Sequence, residues 1–245
     1  MSMKLSIDSK NPLEAFGKKV YGLLVENFPQ TFYVGGFVRD KLLDKRVTDI
    51  DIATSAKPAE VVALLDTAGL KHDDTGKIFG VVKVFYKSHA VEIATFRTEH
   101  YTNSRYPKVA FTKSPGGDAK RRDFSVNALY FKENRPKVYD FYDGLRDLKN
   151  KKIRFIGRAE NRIKQDPLRI VRALRFCLQL DYRMESTTWN AVKSNLGLLK
   201  NVSQKKLDAE IIKLVAPKKR QLLKKIISGE KTLDKLSKKF YDNFK

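Results

Sequence analysis

The chain has 245 residues, enough for one large domain or two small ones, and carries 50 Lys and Arg against 28 Asp and Glu, a formal net charge of +22. That excess points to a polyanionic partner, most often nucleic acid. The single cysteine, Cys177, excludes a disulfide framework and a Cys-based zinc site. His72, His89 and His100 lack metal-ligand spacing, no apolar run nears a membrane span, and the N-terminus has no signal-peptide core, so a soluble, reducing, cytoplasmic setting is expected.

Residues ~12–28 pattern as an amphipathic helix that ends at Pro29. "TFYVGG" predicts a short buried strand running into a glycine turn, "FVRDKLL" a helix, and "VTDIDIAT" a strand of strict alternation. "KPAEVVALLDTAG" is a helix with a Gly stop. "KIFGVVKVFY" and "AVEIATFR" are two strands joined by a turn near Ser88 and His89. Residues ~98–121, polar and rich in Gly, Pro and Lys, predict a mobile loop. "RRDFSVNALYF" then begins as a helix at Arg121–Asp123, and the strand "KVYDFYDG" completes an α+β unit of residues 1–150. From 151 the pattern turns helical, at ~158–164, 167–180, 186–199, 203–216 and 218–228. Residues 151–217 form one helical unit. Residues 218–245 hold ten Lys or Arg against three Asp or Glu, predicting an exposed basic helical tail rather than a core element.

Asp49 and Asp51 lie two apart on one strand, so both carboxylates share a face while Ile50 and Ile52 point to the core. Two like charges side by side need compensation. Mg²⁺ supplies it with one or two carboxylates plus substrate phosphates. Just upstream, Gly35 and Gly36 open a helix whose N–H groups favour phosphate, and Arg39 on the same helix can reach a triphosphate. The combination suggests metal-assisted phosphoryl transfer. Glu92, on a neighbouring strand, is either a third acid facing the pair or an exposed strand residue.

"GGFVRD…TDIDIAT" resembles the nucleotidyltransferase signature of the DNA polymerase β superfamily, and in detail the class II tRNA nucleotidyltransferases (CCA-adding enzymes) and bacterial poly(A) polymerases. The similarity continues in order over roughly residues 31–215. "RRDFSVNAL" resembles the family's second motif, "DGLRDL" its hinge between head and neck, and "QDPLRIVRALRF" its nucleotide-selecting helix. The resemblance implies a small mixed-sheet nucleotidyltransferase head, an all-α neck and a basic helical tail. It implies that Asp49 and Asp51 hold two Mg²⁺ and carry the catalysis. By the same resemblance Arg122, Asp123 and Asn127 contact ribose and triphosphate, with Asp123 accepting from a 2′-OH.

The segment "QDPLRIVRALRF" reads as a helix. At 100° per residue its Ile170, Val171, Leu174, Cys177 and Leu178 fall within an arc of roughly 120°. Asp166, Arg169, Arg172 and Arg175 share the opposite half. Cytosine and adenine both pair an exocyclic amine with a ring-nitrogen acceptor, so Asp166 and Arg169 match their edge. Uracil and guanine present the reverse polarity, and such readout discriminates by about 1–3 kcal/mol. Arg172 and Arg175 then lie toward the triphosphate or brace Arg169.

Two departures stand out. Gln165 occupies the place where the family usually has Glu, which predicts weaker orientation of Arg169, and Lys205 and Lys206 replace a Glu-Arg pair beside the retained Ser203 and Glu210. Relatives continue into body and tail domains, so the chain is expected to be either a compact enzyme or part of a longer one, with the Lys-rich segment after Lys218 supplying salt-dependent affinity for RNA backbone. The resulting expectation is template-independent addition of C and A to the tRNA 3′ end from CTP and ATP. The alternatives are CC-only or A-only addition, a poly(A) polymerase, and a non-catalytic RNA-binding module.

Overall fold

The computed structural model describes residues 5–87, 89–101, 107–229, 233 and 237–241. Contacts divide the chain into two units. The first comprises residues up to Arg122 together with Asn127–Gly144, and the second Asp123–Val126 and Leu145 onward. The class is the expected α+β.

In the first unit, α1 (Pro12–Asn27) starts where the Asn11 side chain accepts from the backbone N–H groups of Leu13 and Glu14, at 3.0 and 3.3 Å. Proline at its first position loses no helical bond. β1 (Thr31–Val34) is fully buried and passes directly into α2 (Gly35–Leu42). Then come β2 (Ile50–Thr54), α3 (Pro58–Thr67), β3 (His72–Asp73), β4 (Val81–Tyr86) and β5 (His89–Thr95). The unit closes with β6 (Arg97–His100), β7 (Lys108–Phe111), α4 (Pro115–Arg121), β8 (Leu129–Lys132) and β9 (Lys137–Asp140).

Seven of these strands make a mixed sheet in the order β3-β4-β5-β2-β1-β8-β9. β2 and β5 run parallel, joined by the crossover through α3, while the other neighbours are antiparallel. The alternation read in "TDIDIAT" sets the sheet's faces. Ile50, Ile52, Val91 and Ile93 are buried on one face, and Asp51 and Glu92 stand in register on the other.

The predicted loop over ~98–121 is corrected by the structure. Arg97–His100 and Lys108–Phe111 pair as an antiparallel hairpin, and Pro115–Arg121 is helical. Ser114 caps that helix through Gly117 N at 3.1 Å, and Pro115 occupies its first turn, which offsets the two glycines that made the segment read as irregular. Residues 102–106 and the predicted turn at Ser88 lie outside the described residues.

The helix expected to begin at Arg121–Asp123 instead ends at Arg121. The chain then runs extended through Arg122 into a 3-10 turn, Ser125–Asn127. Phe124 explains the change. It is wholly buried in the second unit, stacked on Phe155 at 4.7 Å and edge-on to Phe176 at 5.5 Å. Backbone bonds Ser125 N to Arg154 O and Ile156 N to Asp123 O, both 3.0 Å, hold the segment straight.

The second unit contains α5 (Gly144–Lys149), β10 (Lys152–Ile153), α6 (Ala159–Gln165), α7 (Leu168–Leu180), β11 (Arg183–Met184), α8 (Ser186–Asn195), α9 (Gln204–Ile211), α10 (Pro217–Ile227) and α11 (Ser237–Phe240). It is helical apart from the two-residue parallel pairing of β10 with β11. The basic tail is less exposed than its charge suggested. Leu223 and Ile226 of α10 are buried and the helix packs on α7 and α9, while its lysines occupy the other face. Among the described residues, no helix is long and apolar enough to cross a membrane.

Replacing the cap of α1, Asn11→Ala, leaves two N–H groups without their acceptor and should destabilise the protein by about 1 kcal/mol in urea titration. Asn11→Ser should restore most of that loss.

Candidate active site

In the first unit the parallel pairing of β2 with β5 puts Asp51 beside Glu92 across one ladder. Asp49 sits one residue before β2, exposed, with Thr48 Oγ1 donating to its Oδ2 at 2.9 Å. Burial raises the Asp51 carboxyl most, followed by the repulsion of Glu92. Arg122 opposes them, Asp49 adds to the rise, Arg39 counters it, and the result is a pKa of about 6. Glu92 therefore stands beside Asp51 on the same face of the sheet.

Gly35 closes this corner at φ +69°, a conformation costly for any side chain. A Cβ there would lie 3.3 Å from Asp51 Oδ2 and 3.1 Å from Arg122 Nη1. The glycine thus keeps the backbone against both the carboxylate and the guanidinium. A Cβ on Gly36 would come within 3.5 Å of Arg39 Nη2.

Arg39 is buried. It grips Asp40 with Nε and Nη2 at 2.9 and 2.7 Å, and Nη1 donates to Asn127 Oδ1 at 2.5 Å. Asn127 also receives Arg122 Nη1 on its backbone oxygen at 3.3 Å. Sequence reasoning gave Asn127 a nucleotide contact; in the structure it ties the two arginines together.

Two buried carboxylates organise the arginines, and neither was given a site role from the sequence. Asp118, wholly buried on α4, receives Arg121, Arg122 and the Tyr130 hydroxyl. Burial alone would raise its pKa, but Arg122 and Arg121 outweigh burial and hold it below the usual carboxylate range. Its position three and four residues before two arginines at a helix end was the available signal. The other is Glu210.

In the second unit, Asp166 does not belong to the helix of the arginines. The peptide to Pro167 disfavours helical backbone at the residue before it, and Asp166 is extended at φ −148°, ψ 103°, between α6 and α7. It still lies near Arg169. Its backbone oxygen accepts from Arg169 N at 3.1 Å, and its Oδ1 accepts from Leu168 N at 3.2 Å.

Arg169 is buried, and its Nη1 donates to Arg162 O at 2.8 Å and to Gln165 Oε1 at 3.0 Å. Gln165 Oε1 also accepts from Arg162 Nη1 at 3.0 Å. The glutamine therefore bonds Arg169 from the place where the family usually has Glu.

Arg172 donates to Asp123 Oδ2 with Nε and Nη2, at 2.8 and 2.5 Å, and to Glu210 Oε1 at 3.2 Å. Arg175 reaches Glu210 Oε2 at 2.8 Å and Gln179 at 2.6 Å, over the Phe176 ring at 4.0 Å. Glu210, buried on α9, also takes Lys213 at 2.7 Å. Its burial would raise its pKa, but Arg172 and its other cationic neighbours hold it low. Arg172 and Arg175 are thus engaged by Asp123 and Glu210. The apolar stripe of α7 is buried as read, with Ile170, Val171, Leu174, Cys177 and Leu178 all in the core.

The donor set of the first unit suits a hard cation. Its oxygens are carboxylates on adjacent strands, and among the described residues no group of three His, Cys, Asp or Glu side chains could hold an ion by itself. Mg²⁺ commonly binds through one or two carboxylates and completes its shell with water and substrate phosphates.

A family model for the poly A polymerase head domain matches residues 31–154, just over half of the chain. The chain belongs to the poly A polymerase head-domain family. Among curated relatives, a CCA-adding enzyme of Ligilactobacillus salivarius is 42% identical over 191 residues, which cover 77% of this chain and 46% of that protein. Among solved structures, the Bacillus stearothermophilus CCA-adding enzyme in complex with CTP superposes with a TM-score of 0.73 at 33% identity, over 82% of this chain and 48% of that one. The Thermotoga maritima CCA-adding enzyme complexed with tRNA gives 0.69 at 25% identity, over 92% and 55%. The chain spans about half the length of the curated relatives it matches. The matched head-domain region contains Gly35, Arg39, Asp49, Asp51, Arg122, Asp123 and Asn127.

The carboxyl of Asp51 holds its proton more tightly folded than unfolded, where the ordinary value of 3.8 applies. Stability is therefore lost as pH rises from about 4 through about 6. Asp51→Asn should be more stable than the parent at pH 7.5 by roughly 2 kcal/mol, the gain disappearing below about pH 4. Urea titrations across that range, with chelator present, measure it.

Proposed function

We propose that the protein is a template-independent nucleotidyltransferase that adds C and A to the 3′ end of tRNA from CTP and ATP, releasing pyrophosphate. The observation that carries this reading is the Asp51–Glu92 register beside Gly35 and Arg122. Acids of one sheet face meet a strand-to-helix glycine turn and a guanidinium, the arrangement that transfer from a triphosphate needs. Membership of the head-domain family and similarity to CCA-adding enzymes solved with CTP and with tRNA support it. The charge of +22 suits an RNA partner, and the single buried cysteine suits a reducing cytoplasm.

In this reading Asp49 and Asp51 would hold Mg²⁺, two ions, and the chemistry so supplied would be a lowered pKa for the attacking 3′-OH and charge stabilisation of the leaving pyrophosphate. The N–H groups opening α2 at Gly35 and Gly36 receive phosphate, and Arg122 and Arg39 supply positive charge beside it. Asp123, gripped by Arg172, accepts from the ribose. Asp166 and Arg169 read the base edge shared by cytosine and adenine. Arg172, Arg175 and Glu210 hold α7 in place. Residues 1–150 serve as the transferase head, 151–217 as the selecting neck, and the lysines after Lys218 hold RNA backbone.

Transcripts of tRNA that lack CCA, end in C, or end in CC, each offered single labelled nucleotides with Mg²⁺, test the reading. CTP should enter the first two and ATP the third. Asp49→Asn and Asp51→Asn should lower incorporation by at least about a thousandfold, as loss of a metal-holding carboxylate does. No incorporation of CTP or ATP on any transcript would sink the proposal, and long A tails on unrelated RNA would replace it with a poly(A) polymerase.

Arg169→Ala should keep Mg²⁺-dependent transfer but admit UTP and GTP, compressing the preference for C and A by about 10- to 100-fold. If UTP and GTP remain excluded in competition assays, the base is read elsewhere.

A further inference from the structure

Asp118 has no solvent exposure, yet the arginines and hydroxyl around it hold its carboxyl below the usual carboxylate range. A buried carboxylate is costly unless its oxygens are satisfied. Here Oδ1 accepts from the backbone N–H of Arg97 at 3.1 Å and from Arg121 Nε at 2.8 Å. Oδ2 accepts from the Tyr130 hydroxyl at 2.5 Å and from Arg122 Nη2 at 3.4 Å. The same tyrosine oxygen accepts from Arg122 Nε at 3.0 Å. Tyr130 is itself wholly buried, among Phe32, Phe96 and Phe141.

The guanidinium of Arg122 is planar, and its Nε and Nη2 form one edge. That edge is occupied by Tyr130 and Asp118. The remaining terminal nitrogen, Nη1, points to the corner formed by Gly35 and Asp51, where it also donates to the Asn127 backbone. A carboxylate alone would hold the charge of Arg122 but leave the plane of its fork free to turn. The tyrosine oxygen, bonded to both partners, removes that freedom.

We propose that Asp118, acting directly and through Tyr130, is a positioning residue that sets the direction in which Arg122 meets the triphosphate of the incoming nucleotide. The bond to Arg97 N ties the base of the β6–β7 hairpin to the same anchor. This rests on the nucleotidyl-transfer reading above, and it assigns neither Asp118 nor Tyr130 any contact with substrate.

Tyr130→Phe deletes one oxygen and leaves the aromatic cluster filled, so it tests the anchor without emptying the core. Its KM for CTP should rise about tenfold, the cost of losing a hydrogen bond to a charged group, with KM for tRNA unchanged. Asp118→Asn should shift KM for CTP in the same direction and further. A merely structural role would lower the active fraction and leave both KM values in place.

In an Arg122→Ala background the effect of Tyr130→Phe on CTP should vanish, because the group being aimed is gone. The positioning role is overturned if Tyr130→Phe leaves KM for CTP within about twofold of the parent, or costs as much without Arg122 as with it. Equilibrium titration with CTP keeps the two readings apart. A parent chain that binds CTP without transferring it refutes the proposed function, while weaker binding in Tyr130→Phe still upholds the anchor. A parent that does not bind CTP overturns both.

Discussion

Parallel pairing of β2 with β5 forces two carboxylates, Asp51 and Glu92, into register opposite one another across one ladder, with Asp49 close by. Like charges directly opposite one another destabilise a sheet. The rest of the first unit is arranged around that repulsion. Ile50, Ile52, Val91 and Ile93 bind the two strands from the opposite face, so the acids cannot separate without opening the core. Arg122 and Arg39 lower the cost by charge, and Gly35 lets the backbone come close enough for Arg122 to act. Burial first, and the repulsion of Glu92 after it, lift the carboxyl of Asp51 to a pKa of about 6, well above its ordinary value. A site that binds its acids at a cost when no cation is present is one that gains when a cation arrives.

The arginines that relieve this repulsion need holding in turn. A free guanidinium beside an acid would collapse onto it and close the site. Each is restrained by a partner away from the Asp51 corner: Arg39 by Asp40 and Asn127, Arg122 by Asp118 and Tyr130. The second unit repeats the device with Glu210 between Arg172 and Arg175. Buried ion pairs of this sort contribute little net stability, because desolvation cancels much of the attraction. Their value lies in direction, since a bidentate or doubly anchored guanidinium has one orientation.

Much of the frame was legible because hydrophobic period reports burial. The alternation around Asp51 gave the strand and its two faces, although the strand begins only after Asp49. The apolar stripe of "LRIVRALRF" gave the packed side of α7. What periodicity cannot report is pairing between distant segments. The hairpin over Arg97–His100 and Lys108–Phe111 escaped because its strands are only four residues long and their partners are one another. Asp118 escaped because it sits among glycines in a segment that composition marked as irregular, and only the fold brings Tyr130 to it. Asp166 was placed on the wheel of α7, although the proline after it already argued for a break. The roles of Arg172 and Arg175 were unreadable for the same reason as Asp118. A charged stripe on a helix looks alike whether it meets solvent, ligand or a buried glutamate on another helix.

The second unit shows why a neutral residue can stand where an acid might be expected. Gln165 accepts from both Arg162 and Arg169 through one carbonyl oxygen. A carboxylate in that place would make stronger bonds but would also neutralise part of the charge it orients. An amide fixes the guanidinium by geometry and leaves its full charge to act. In the proposed reading Arg169 presents that charge to an acceptor on a base edge, and Asp166, extended before Pro167, supplies the complementary acceptor from outside the helix. The two halves of the proposed template come from different backbone states, one helical and one extended. Their spacing is therefore set by the helix break itself, and a substitution that repaired the break by removing Pro167 would move Asp166 onto α7 and misalign the pair without touching either side chain.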